Sequence, residues 1–143
     1  MVRLSRSRVI KAPRDRVFQF LLDGSKLVEW MPDRFLSWKV LSQKGNVRTA
    51  ETESRFFGRR FKSVDREVLT PPDRLEGETI RGSGKGTKSV VTLTEVPGGT
   101  KMEMAIEAKG AFASILGPIF RKRGEREMDR VLDSMVKNIE AGK

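Results

Sequence analysis

The chain has 143 residues, enough for one domain with a single core, and its 37% apolar and 34% charged content suits a globular protein. It contains no cysteine, histidine or tyrosine, which excludes disulfides, thiolate metal sites, Ser-His-Asp and Cys-His catalysis and most zinc chemistry. The 29 Lys and Arg against 19 Asp and Glu leave a net charge of +10, which favours acidic partners unless the charge merely decorates a charge-rich surface; its scatter along the chain favours the surface reading.

Acid–base chemistry is left to Asp, Glu, Lys, Arg or bound water. No apolar run approaches the length of a membrane span. The start, Met1-Val2-Arg3-Leu4-Ser5-Arg6, lacks the apolar core of a signal peptide, so a cytoplasmic location is expected.

Val2 to Ile10 reads as a strand, with Arg3, Ser5 and Ser7 on one side and Arg6 and Arg8 on the other; either side can face in. Lys11-Ala12-Pro13 opens a helix, with proline near the first position, where its missing N–H costs nothing. Val17, Phe18, Leu21 and Leu22 form its apolar face, and Gly24 suits a left-handed stop. Ser25 caps a second short helix to Trp30, which Pro32 ends.

From Phe35 the chain punctuates itself into strands: Phe35 to Gln43, Val47 to Phe57, Arg59 to Leu69, Arg74 to Arg81, Thr87 to Val96 and Lys101 to Ala108. Gly45-Asn46, Gly58, Pro71-Pro72-Asp73, Gly82 to Gly86 and Pro97-Gly98-Gly99 supply the turns. Strands at this spacing predict an antiparallel meander. The last strand alternates most clearly, with Met102, Met104, Ile106 and Ala108 one way and Lys101, Glu103 and Glu107 the other.

Phe112 to about Glu140 then carries apolar residues every three or four positions, the stripe of an amphipathic helix roughly 40 Å long. Gly117-Pro118 predicts a kink or restart near its beginning. Such a stripe needs a large surface to bury against, and a curved sheet is what the chain provides. The reading is α+β in the order β-α-α-β6-α: a curved antiparallel seven-stranded sheet wrapped around a long C-terminal helix, in one domain spanning 1–143.

Gly82-Ser83-Gly84-Lys85-Gly86-Thr87 fails the phosphate-loop pattern, because Gly86 follows Lys85 and no helix follows the loop. It reads as a hairpin or cavity-mouth loop. Mid-strand carboxylates at Glu51, Glu53, Asp65, Glu67, Glu76 and Glu78, with Arg48, Arg55 and Arg66, read mostly as cross-strand pairs on the wet face. Alternation does not single out an inward carboxylate. Arg66, between Val64 and Val68, is the candidate inward polar group, able to hold a carboxylate or phenolate. Arg121-Lys122-Arg123 could touch an anionic membrane surface. The preferred reading is a solvated helix face with Arg121–Glu125 and Arg123–Glu127 pairs.

The order of elements resembles the START-like or Bet v 1-like superfamily and its helix-grip fold, which includes the polyketide cyclase/dehydrase and lipid transport group. Val9-Ile10-Lys11-Ala12-Pro13 with Val17, Phe18 and Leu21 resembles that group's opening motif. Leu27-Val28-Glu29-Trp30-Met31-Pro32 resembles its second-helix signature, and Pro71-Pro72-Asp73-Arg74-Leu75 the turn before its fifth strand.

The resemblance implies an apolar cavity between sheet and helix that takes a lipid, polyketide, quinone or similar small hydrophobic or amphipathic ligand. No metal and no tightly held cofactor is expected. Trp30 and Met31 would border the mouth. Phe56, Phe61, Arg66, Met102, Met104 and Ile106 would line the cavity from the strands, and Phe112, Ile115, Leu116, Ile119 and Phe120 from the helix. Two other functions stay open. One is a polyketide cyclase or dehydratase, which needs a buried ionisable group without His or Tyr. The other is a basic interaction module that contacts RNA or the ribosome or acts as an assembly factor; the positive charge suits RNA, but no exposed aromatic platform is evident.

Overall fold

The computed structural model describes residues 2–110, 113 and 121–143. Among the described residues, seven strands and three helices follow in the order β1 (Val2–Ile10), α1 (Arg14–Leu22), α2 (Ser25–Trp30), β2 (Phe35–Lys44), β3 (Val47–Phe56), β4 (Arg59–Thr70), β5 (Arg74–Gly82), β6 (Lys88–Val96), β7 (Gly99–Ala108) and α3 (Arg121–Glu140). The strands form one antiparallel sheet in the order β1-β7-β6-β5-β4-β3-β2. Short turns generate the meander, and the long excursion through α1 and α2 lets β1 pair with β7, from Val2 opposite Ala108 to Ile10 opposite Thr100. This is the helix-grip arrangement that the element order predicts. The kink at Gly117-Pro118 and the five helix side chains Phe112, Ile115, Leu116, Ile119 and Phe120 lie outside the described residues. Among the described residues, no helix is long and apolar enough to cross a membrane.

The helix stripe is buried at Gly124, Met128, Leu132, Met135 and Ile139, steps of three and four that keep one face on the sheet. Leu132 and Ile139 join Leu4, Ile10, Val17, Phe18, Leu93 and Met102 in the core. The core is therefore densest at the β1–β7 end of the sheet, under the first helix. Gly24 does not form a left-handed stop. Its φ of −64° is helical and it is the N-cap of α2. The residue must be small for a different reason: a Cβ there would collide with the Trp38 indole.

The ambiguity in β1 resolves toward the helix. Leu4, Arg6, Arg8 and Ile10 share the inner side, with the two aliphatic ends buried and the two arginines reaching α3. Arg6 Nε donates to Asp129 at 3.1 Å, Arg8 Nη2 to Asp129 at 2.8 Å and Arg8 Nε to Asp133 at 2.7 Å, and Arg6 also pairs with Glu125. The hydrogen bond from Arg6 holds the Glu125 carboxyl below its usual range, and that from Arg8 does the same for Asp129.

Both carboxyls thus have a lower pKa folded than unfolded. Their contribution is complete above the ordinary carboxylate range and is lost as pH falls through the depressed values. Stability should therefore drop below about pH 4. Denaturant titrations of the wild type and of Arg8→Met from pH 7 to 2 check this. The variant's curve should be flatter on the acid side.

Candidate functional site

At the central strands the sheet and α3 stand apart and enclose a cavity of about 390 Å³. One wall is apolar. Phe20, Leu27 and Trp30 contribute from α1 and α2, and Met128, Val131 and Met135 from α3. Phe20 and Trp30 pack with ring centroids 5.7 Å apart. The opposite wall is the inner face of β3 to β6, where polar groups lie among Phe56, Phe61, Leu75 and Val91. Thr52, Ser54, Ser63, Thr79, Thr87 and Ser89 present hydroxyls there, with Arg48, Asp65 and Glu67 among them. Phe57 and Glu127 line both the cavity and a groove on the outer surface of α3, so the two spaces meet at the β3–β4 hairpin. Arg123 lies over the Phe57 ring, 4.9 Å from its centroid.

The polar part of this wall follows from strand parity. In β4, Phe61, Ser63, Asp65, Glu67 and Leu69 point inward, while Arg66 is exposed. Arg66 is therefore not the inward polar group, and Val64 and Val68 share its outer face rather than marking an inner one. The wet-face pairs exist elsewhere: Arg60–Glu53 at 2.8 Å, Lys62–Glu51 at 3.9 Å and Arg74–Glu76 at 2.8 Å. On the helix, Arg121 pairs with Glu125, but Arg123 takes Phe57 and Glu127 takes Arg34 at 2.8 Å.

Of the other candidate residues, Trp30, Phe56, Phe61, Met104 and Ile106 line the cavity. Met31 and Met102 do not; they are 6% and 0% exposed and fill the core. Met102 alternates with Met104, but it lies nearer the start of β7, beside Leu93 on β6, and joins Leu93 and Ile10 in the core. The glycine loop forms the β5–β6 hairpin. Thr87 at its end lines the cavity, and its hydroxyl accepts from Lys109 N at 3.0 Å.

The ionisable group at the inner wall was not singled out from the sequence. Arg48, 5% exposed, donates to Glu67 Oε1 at 2.8 Å, bonds the Leu22 carbonyl oxygen and stacks on Trp38 with 5.1 Å from guanidinium to ring centroid. Burial pushes the Glu67 carboxyl up, against the pull of Arg48, and the nearby Asp65 charge adds to the rise. Burial also pushes Asp65 up, with only a hydrogen bond from Thr79 opposing it. Among the described residues, Asp65 Oδ1 and Trp30 Nε1 are buried and have no hydrogen-bond partner. Asp65 and Trp30 both line the cavity, and these uncommitted atoms are candidates for a hydrogen bond to a bound molecule.

A carboxyl with a raised folded pKa binds more protons in the native than in the unfolded state, so it lowers stability as pH rises past the unfolded value. Asp65→Asn keeps the shape and removes that penalty. The variant should unfold at higher denaturant than the wild type near pH 8, with the difference vanishing near pH 3. Chemical denaturation at both pH values checks it.

The family described as polyketide cyclase/dehydrase and lipid transport matches residues 1–140. No curated protein sequence matches the chain. Among solved structures, a START superfamily protein from Mycobacterium smegmatis superposes with a TM-score of 0.82 at 12% identity, covering 100% of both chains. A Thermus thermophilus protein gives 0.78 at 18% identity, covering 97% of this chain and 94% of that one. A Streptomyces aromatase/cyclase gives 0.72 at 11% identity, covering 98% and 92%. At these identities the likeness establishes the helix-grip fold, and the family match over nearly the whole sequence establishes the lineage. The chain belongs to the polyketide cyclase/dehydrase and lipid transport family.

Proposed function

We infer that the protein binds and carries a small hydrophobic or amphipathic molecule in the cavity between its sheet and α3. The observation that carries this reading is the cavity itself. A space of about 390 Å³ walled by Phe20, Leu27, Trp30, Met128 and Val131 is the kind of site that shelters an apolar body. Methionines at Met104, Met128 and Met135 adapt the cavity to varied shapes. Native mass spectrometry of gently purified protein tests the reading. A stoichiometric extra mass of a few hundred daltons, released by organic extraction, supports it. A clean apo mass that also gains nothing from an added mixture of long-chain alcohols, acids and aromatic ketones overturns it.

A second reading is favoured by Asp65. A carboxyl raised by burial and facing an apolar space can exchange a proton with a ligand, as a cyclisation or dehydration requires. Under this reading Asp65→Asn retains the molecule found by mass spectrometry but no longer converts it. Unchanged conversion by that variant rejects Asp65 as the proton donor or acceptor.

A further inference from the structure

The outside and inside of this protein carry opposite charge. The chain bears a net charge of +10, yet the charged residues lining the cavity are Asp23, Arg48, Asp65, Glu67, Glu78 and Glu127, five acidic and one basic. The stretch 111–120 adds no ionisable side chain to either side of that count.

The one cation is fully engaged by Glu67, the Leu22 carbonyl and the Trp38 ring. Glu127 at the rim is held by Arg34 at 2.8 Å, and Asp23 accepts from the Ser25 backbone N–H at 3.0 Å. That leaves Glu78, which is exposed to solvent, and Asp65, which is half-buried with an oxygen that has no partner among the described residues and faces a space whose other wall is hydrocarbon. A carboxylate or phosphate entering this space would lose its water, find no uncommitted cation there and meet a carboxyl instead.

We propose that the cavity selects against anionic ligands and takes an amphiphile whose polar end donates a hydrogen bond to Asp65, either a hydroxyl or an ammonium. This rests on the carrier reading and gives it a ligand class. It runs against the protein's overall charge, which attracts anions from a distance. Surface and interior therefore predict opposite preferences, and one experiment separates them.

The experiment titrates the full chain with decanol, decylamine and decanoate at about pH 8, where the last two are ionised. Enough salt is added to screen outer charges beyond about 10 Å. Tryptophan fluorescence reports directly, because Trp30 and Trp38 are the chain's two tryptophans and both line the cavity.

Both ions lose hydration on entry, so comparing them isolates the sign of the interior charge. Decylamine should bind about tenfold or more tightly than decanoate. Decylamine ahead of decanol assigns an ammonium as the donor; decanol ahead assigns a hydroxyl. Asp65→Asn, its fold checked by circular dichroism, should bring decanoate to within about threefold of decylamine.

Decanoate equal to or tighter than decylamine overturns the selectivity and leaves the carrier reading standing. A preference unchanged in Asp65→Asn overturns Asp65 as its source. Binding of none of the three overturns the selectivity and the carrier reading together. The wild-type order alone decides the sign, whatever the variant's yield.

Discussion

Replacing Arg48 with methionine is expected to destabilise the protein by about 3–5 kcal/mol, the cost of stranding a buried charge without its partner. Arg48 is 5% exposed and its side chain serves three groups at once. Its Nε holds Glu67 at 2.8 Å, another nitrogen caps the Leu22 carbonyl at the end of α1, and its plane covers Trp38. Methionine matches much of the volume and supplies none of these interactions. Glu67, already pushed up by burial, would then be held by no cation.

The argument is checked by a cycle. Glu67→Gln alone should cost less, because a neutral amide can remain near Arg48. The double variant Arg48→Met/Glu67→Gln should be more stable than Arg48→Met, since the stranded carboxylate is gone. Arg60→Met is the control. Its pair with Glu53 has a 64% exposed arginine, and removing it should cost about 1 kcal/mol or less. Urea unfolding of the four variants reads the whole set.

Leu132→Ala should cost about 2–5 kcal/mol, the range for deleting a fully buried leucine side chain. Leu132 is 0% exposed and packs with Met128, Met135 and Ile139 against Leu4, Ile10 and Met102. Its neighbour Val131 is only partly buried and looks into the cavity. Val131→Ala removes atoms from a wall that already borders open space, so its stability cost should be about 1 kcal/mol. Its effect should instead appear in ligand affinity. One helix thus presents two adjacent faces with different duties, and the pair of variants separates them. Equal losses at 131 and 132 would mean that α3 is packed tightly throughout and that no cavity opens beneath it.

Where a side chain packs against hydrocarbon, the sequence carried its position plainly. The alternation of Met102, Met104, Ile106 and Ala108 marks the inner face of β7, and the three-and-four spacing from Met128 to Ile139 marks the buried stripe of α3. The motif around Val9 to Pro13 and the turns at Gly45, Gly58 and Pro71 locate the elements that frame the cavity.

The central strands hid their inner face for a physical reason. A strand that lines a polar cavity wall has no apolar periodicity to read, because both of its faces meet polar surroundings. Arg66 looked inward because its valine neighbours are apolar, while Asp65 and Glu67 looked like surface charges. One signal did exist. Phe61 and Leu69 bracket β4 at the same parity as Asp65 and Glu67, and Ala50 sits at the same parity as Arg48 in β3. Buried apolar ends of a strand fix which side its polar middle faces. The link between Arg48 and Trp38 was beyond reach, since it depends on β2 and β3 lying beside the loop that carries Gly24.

The most direct test of the central claim follows the two indole N–H resonances while decanol is titrated into labelled protein. Trp30 Nε1 has no hydrogen-bond partner among the described residues, and Trp38 lies under Arg48. A ligand in the cavity should move the Trp30 resonance most, saturably, together with the methyl signals of Met104, Ile106 and Met128. Shifts confined to exposed residues such as Val40 and Leu41, with Trp30 unmoved at saturation, would contradict a ligand site between the sheet and the helix.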